Sequence, residues 1–436
     1  MNTSGNPGNH IKIIISVILL GLIVLPGLVY GYEIDTTRVR TRPQIKPAVE
    51  DYVFAVPSFA LKLPFKTIEY MTNFTVNKIV LSDLGRLVFF FRDVDRIWGF
   101  YPILGYSSNQ GFKGGITFTS RDVFTKGERF KLKTSYSTHD YQTYQFTYDF
   151  PGKLGIFKDA FLKASYKKKP WESFYGLGND PDIGYEASVN TETTCFEFGW
   201  FHRLNHRVSL SFDQRYSIVN IYDGENPDLV GSLEQIGTDF NISPERFAPA
   251  RLFTSTFGAV HDWRDNIGKP TSGGFELVEA SYNHGIDRSD DLEFFTIRAD
   301  LRHYLNIFMG RTLSFRVAGE AINNNGQSHK LPFYLLPSLG GEYSLRGYHS
   351  NRFLDNSYTL ASVEYRFPML TIVDGVVFFE EGRVFEAISE QFTFKDWHYS
   401  AGFGVKVWNP EGIVLNALVA FSREGGEFHI QLFEEF

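Results

Sequence analysis

Between Tyr141 and Phe150 polar and apolar positions alternate. Tyr144, Phe146, Tyr148 and Phe150 fall on one side of an extended chain, with Thr143, Gln145, Thr147 and Asp149 on the other. Side chains of a strand point to opposite faces in turn, so one face of this strand suits lipid and the other water. Residues 293–302 repeat the pattern, with Phe295, Ile297, Ala299 and Leu301 opposite Phe294, Thr296, Arg298, Asp300 and Arg302. Charges on the second face call for a wet or ion-paired interior. The same period predicts strands over about 100–106, 112–120, 128–138, 141–150, 157–169, 193–204, 207–222, 250–264, 273–285, 291–307, 311–323, 357–367, 371–380, 397–408, 412–422 and 428–436. The links between them sort by length: those near 170–192, 224–249, 324–356 and 381–396 are long and follow odd-numbered strands, whereas those after even-numbered strands are short. An even strand count with short turns at one end and long loops at the other predicts an all-β fold, a 16-stranded antiparallel transmembrane β-barrel over residues 100–436.

The last strand places Phe428, Ile430, Leu432 and Phe436 on one face, although Glu434 interrupts it. A terminal aromatic on an amphipathic strand is the expected closure and insertion signal of such a barrel. Gly105 in the first strand and Gly425-Gly426 before the last are predicted to weaken the seam where the two meet.

Ahead of the barrel, Lys12 precedes an apolar run from Ile13 to Val29, the layout of a secretory signal peptide over residues 1–31. In residues 32–99 apolar positions recur at helical spacing, first at Phe65, Ile68 and Met71, then at Val76, Ile79 and Val80, then from Leu84 to Phe91. Amphipathic helices there are expected to lie on the periplasmic membrane surface, plug the barrel mouth or dock a periplasmic partner.

The 43 Phe and 23 Tyr suit strands and membrane interfaces, and the mean hydropathy, slightly below zero, fits alternation better than membrane helices. A net charge of -7 argues against a nucleic-acid partner. Cys195 is the one cysteine and is read as a strand residue without chemistry. The sequence carries no nucleophile elbow, phosphate loop or zinc signature, so no enzymatic activity, metal or cofactor is expected. Acids at Asp223, Glu225, Asp228 and Glu234 read as a solvated outer loop.

Residues Gly340-Gly341-Glu342-Tyr343-Ser344-Leu345-Arg346-Gly347-Tyr348 resemble the signature loop of the BamA-type surface-antigen superfamily of outer-membrane barrels, with Leu345 where Val is usual. Asp262-Trp263-Arg264-Asp265-Asn266 with Pro270, the segment Phe174-Tyr175-Gly176-Leu177-Gly178-Asn179, Tyr101-Pro102 and Phe378-Phe379-Glu380-Glu381-Gly382 are similar to further segments of that family, in the same order. The resemblance implies that the long loop after the eleventh strand folds into the lumen and carries Arg346 to the inner wall. Strand parity puts Glu380 on the same face as Phe378, where it can meet that guanidinium, with Phe378 and Tyr348 expected around the pair and Gly382 following. It further implies the outer membrane of a Gram-negative bacterium, a surrounding of outer-membrane lipids and lipopolysaccharide, and a role in inserting or transporting outer-membrane proteins or lipids. A passive, porin-like barrel is the alternative. Residues 32–99 are too short and too helical to read as the POTRA domain usual in the family, so the chain is expected to be a POTRA-less member.

Overall fold

The computed structural model describes residues 98–432 apart from 108–109, 125, 155–156, 183, 290–291, 309, 324–330, 370–372 and 410–411. The expected signal peptide, the expected helices and Phe436 lie outside the described residues. Eighteen strands follow: β1 (Trp98–Ser107), β2 (Gly111–Arg121), β3 (Arg129–Ser137), β4 (Gln142–Leu154), β5 (Phe157–Phe174), β6 (Ala187–Arg203), β7 (Val208–Asp223), β8 (Ala250–Asp262), β9 (Gly273–Gly285), β10 (Glu293–Phe308), β11 (Arg311–Asn323), β12 (Ser338–Leu339), β13 (Phe353–Leu354), β14 (Ser357–Pro368), β15 (Val373–Phe385), β16 (His398–Asn409), β17 (Gly412–Ser422) and β18 (Gly425–Leu432). All but β12 and β13 close into one antiparallel barrel of sixteen strands, and β12 pairs with β13 alone.

The alternation read from the sequence is the inside and outside of this barrel. Leu104, Ile116, Leu132, Tyr144, Leu162, Phe196, Phe257, Ile297, Val317, Val377 and Phe403 form an exposed apolar belt on its outer face. A belt this continuous is unstable in water and fits hydrocarbon. Aromatic side chains run across it from strand to strand, Phe100 to Phe118 at 4.9 Å between ring centres and Phe130 to Phe146 at 5.1 Å. No helix among the described residues is long and apolar enough to cross a membrane, which leaves the strands to do so.

Several strands run past their expected ends. β5 continues to Phe174, β6 starts at Ala187 and β15 continues to Phe385. Roughly ten residues of a tilted strand suffice to cross the hydrocarbon, and the 18-residue β5 exceeds that. Beyond the bilayer, nothing forces polar and apolar residues to alternate, so the pattern fades before the hydrogen bonding does. β18 is displaced the other way and begins at Gly425.

The long loops gather over one barrel end. The connection after β7 carries a helix, Leu233–Asp239, capped by Ser232, and a 3-10 turn, Pro244–Phe247. Its acids Asp223, Glu225, Asp228 and Glu234 are exposed. The loop itself is more than a solvated excursion, because Ile236 and Phe247 are buried with Phe174, Val189, Leu252, Phe294, Leu331, Phe333 and Leu354. Phe174 stands at the centre of this cap, edge-on to Phe333 at 4.8 Å and to Phe240 at 5.2 Å.

Candidate functional site

Beside the cap, residues 338–354 fold back onto the inward faces of β14 to β18. Val377 and Phe379 are exposed on the outer face of β15, so Val376, Phe378 and Glu380, all buried, face inward. The returning segment is a tight hairpin: β12 pairs with β13 through Ser338 with Leu354 and Leu339 with Phe353. Within it the Gly341 N–H donates to Tyr348 O at 3.0 Å, and the Tyr348 N–H to Leu345 O at 2.9 Å. Gly340 and Gly341 take φ of 111° and 96°, and Leu345 takes 47°. A left-handed leucine is strained. Its side chain is fully buried, and the next amide is turned onto the wall.

Arg346 holds Glu380 three times. Its backbone N–H donates to Oε2 at 2.8 Å, its Nε to Oε1 at 2.9 Å, and its Nη2 lies 2.9 Å from Oε1. Ser400 on β16 donates to Glu380 Oε2 at 3.0 Å. The guanidinium lies over the Phe378 ring, 3.5 Å from its centre. Cation–π contact of this kind adds to the pair where water is excluded. Tyr348 does not join it: it packs edge-on against Phe353 at 5.1 Å and His398 at 5.9 Å, and so anchors the hairpin farther along. Gly382 lies under the loop, where an added Cβ would meet Leu339 Cδ1 at 2.9 Å and Leu345 Cδ1 at 3.3 Å. At Gly347 the added atom would stand 2.7 Å from the Phe421 carbonyl on β17. Hairpin and wall therefore touch at glycines on both sides.

Besides Ser400, three partners of this centre escaped the sequence reading. Glu364 on β14 lies 3.5 Å from Arg346 Nη1, and Lys406 on β16 donates to Glu364 at 2.6 Å. One guanidinium and one ammonium thus balance two buried carboxylates, which is what makes such burial tolerable. His429 on β18 faces the Arg346 carbonyl, with Nε2 at 2.8 Å. Pairing register, which brings Glu364 beside Phe378 on the neighbouring strand, is the signal that would have found the second acid.

The segment Phe174 to Asn179 fastens the outer side of the hairpin. The Gly178 N–H donates to Leu354 O at 2.7 Å, and Asn179 Oδ1 accepts from the Val384 N–H at 3.1 Å. Arg352, 1% exposed, pairs with Glu424 at 2.7 Å, donates to Pro181 O at 2.9 Å and lies 4.9 Å from the Tyr175 ring centre. At the other barrel end the turn after β8 reaches across to the same wall. Lys269 pairs with the buried Asp374 at 2.7 Å, Arg366 donates to the Pro270 carbonyl, and Lys269 and Arg366 both stand over Trp408, at 5.4 and 4.9 Å from the ring centre.

Of the expected closure residues, Phe428 is half-buried and Ile430 buried on β18, and Leu432 ends that strand. Among the described residues β1 and β18 share two register pairs, Gly105 with Gln431 and Tyr106 with Ile430. β1 and β2 share ten. Gly425 to His429 pair with β17 and have no described partner in β1.

A sixteen-stranded barrel with an Arg-bearing hairpin bonded to its wall can be set against known families, and the model of the Omp85 superfamily domain matches residues 122–416. The chain belongs to the Omp85 superfamily. The resemblance read from residues 340–348 is borne out at that level. Among solved structures, this Omp85 barrel superposes on BamA from Haemophilus ducreyi lacking POTRA domains 1-3 with a TM-score of 0.57 and 17% identity, over 77% of this chain and 70% of that one. CdiB from Escherichia coli gives 0.50 at 10% identity, over 76% of this chain and 62% of that one, so the Omp85 barrel spans less than two thirds of CdiB. At these identities the likeness is one of fold. The search of curated proteins returns no match.

Proposed function

We propose that this Omp85 barrel sits in the outer membrane of a Gram-negative bacterium and assists the insertion or transport of outer-membrane proteins or lipids, through its lumen or through the seam between β1 and β18. The observation that carries this reading is the seam: among the described residues two register pairs close it, and Gly425 to His429 of β18 have no described partner in β1. Unpaired strand edges invite pairing with another chain. A barrel that served only as a passive conduit would gain from a seam as fully paired as its other joints.

On this reading the hairpin of residues 338–354 is the fixed counterpart of the seam. Arg346, Glu380 and Glu364 hold β14 to β16 in one arrangement, and His429 carries that arrangement to β18. Gly105→Cys paired with Gln431→Cys, in a chain whose Cys195 is replaced by Ser, provides the test. An oxidised seam is expected to abolish support of outer-membrane assembly in depleted cells, with reduction restoring it. Full support with the seam locked would refute the seam route and leave the lumen as the path.

A further inference from the structure

One inward wall of the barrel is dominated by lysines. The outer faces of β2 and β3 carry Ile116, Leu132 and Tyr136, so Lys113 on β2 and Lys131 and Lys133 on β3 face inward. On β5 the outward Leu162 fixes Lys163, Lys167 and Lys169 as inward. Register sets them in a lattice. Lys133 lies opposite Thr117 and Gln145, Lys167 opposite Thr143 and Thr193, and Lys113 opposite Gly105 and Ser137.

Lys163 and Lys169 have acids, Glu197 at 3.5 Å and Glu172 at 2.8 Å. Lys113, Lys133 and Lys167 have no ion pair or hydrogen bond with any described residue. Lys169, Lys163 and Lys133, all of its own sign, act on Lys167, with Cys195 opposing them. Lys133 also acts on Lys113, whose single acidic neighbour is Glu342 of the hairpin. Elsewhere in the barrel Arg302 and Arg316 share Asp300, and Arg346 shares Glu380 and Glu364. Like charges crowded inside a barrel repel unless a counter-charge arrives from outside the wall. Ammonium groups on flexible stems gather around a compact anion of high charge, whereas bidentate recognition of a single carboxylate favours arginine.

We propose that the inward face of β2 to β5 is a binding wall for a multiply charged, phosphate-bearing group, with Lys113, Lys133 and Lys167 as its ligands. This wall begins on β2, one strand from the seam, and its test reads binding rather than assembly. Calorimetric titration of the full chain in neutral detergent with inorganic pyrophosphate is expected to give saturable binding that weakens as salt screens it. The triple variant K113Q/K133Q/K167Q should bind at least roughly tenfold more weakly, since each lost charged contact is by itself worth about that factor. K113R/K133R/K167R should bind within a few-fold of the native chain, and heat-modifiable migration of both variants establishes that their barrels are folded. Competition by a short-chain phosphatidic acid would show that a lipid headgroup fits the wall, and failure to compete would restrict it to free phosphates; either result follows saturable binding and supports the proposal. Absence of saturable binding to the native chain, or equal binding by the folded glutamine variant, overturns it.

Discussion

Arg346 engages Glu380 with its backbone and its side chain together, through the amide to Oε2 at 2.8 Å and through Nε to Oε1 at 2.9 Å. A side-chain substitution removes only part of that grip. What it leaves is a pair of buried carboxylates with Lys406, and beyond it Arg366, as nearby cations.

Arg346→Ala is therefore expected to destabilise hairpin docking by about 3–5 kcal/mol, most of it from uncompensated Glu380 rather than from the lost attraction. R346A/E380A should dock better than R346A alone. Hydrogen exchange across residues 338–354 measures this, and simple addition of the two single effects would contradict it.

Gly347→Ala tests close approach without touching charge. The new methyl must stand 2.7 Å from the Phe421 carbonyl and 3.0 Å from Ser400 Cβ. Overpacking of this size costs about 1–3 kcal/mol. The hairpin should become cleavable by added protease while the barrel keeps its heat-modifiable migration. Protection equal to that of the native chain would show that the wall yields.

Asp355, just after β13, carries a pH dependence. Burial, and after it Glu386, push its carboxyl up from 3.8 to about 6 against the Asn356 N–H, which donates to it, and Arg246. A folded-state value above the unfolded one means that folding takes up a proton, so the stability linked to this group is fully present below pH 3.8 and is lost as pH rises to about 6. Protection of residues 331–356 against hydrogen exchange, corrected for the intrinsic rate, should fall across that window. Asp355→Asn should flatten this component of the profile, and an unchanged slope in the variant would assign it elsewhere.

Ile430→Cys with Tyr106→Cys offers a second seam lock. These residues are direct register partners, so oxidation should be efficient and should not disturb migration of the folded barrel. Failure of both this pair and Gly105→Cys with Gln431→Cys to form would indicate a shifted register in the membrane.

The barrel was legible because its medium enforces a rule: at each membrane-spanning position a side chain meets either lipid or the interior. Phe295 and Asp300 declare their faces without reference to any other strand. Where the medium stops acting the rule stops too, hence the missed ends of β5, β6 and β15. Glu380 could be assigned to a face by parity, but Glu364 becomes a partner of Arg346, and Lys406 of Glu364, only through the pairing of β14, β15 and β16, which the period of a single strand does not encode. The cap around Phe174 was hidden for a similar reason, since Ile236 and Phe247 are unremarkable apolar residues until three loops converge.

The turn after β8 and the hairpin of residues 338–354 grip one side of the barrel from opposite ends, through Asp374 and Arg366 at one and Glu380 and Glu364 at the other. Their described hydrogen bonds reach none of β1 to β4. Such a cylinder has unequal compliance: the braced strands, which end at β18 on one side of the seam, resist shear, while β1 to β4 on its other side absorb it. Any widening of this barrel would then be a one-sided flexing, with the braced strands serving as its hinge plate.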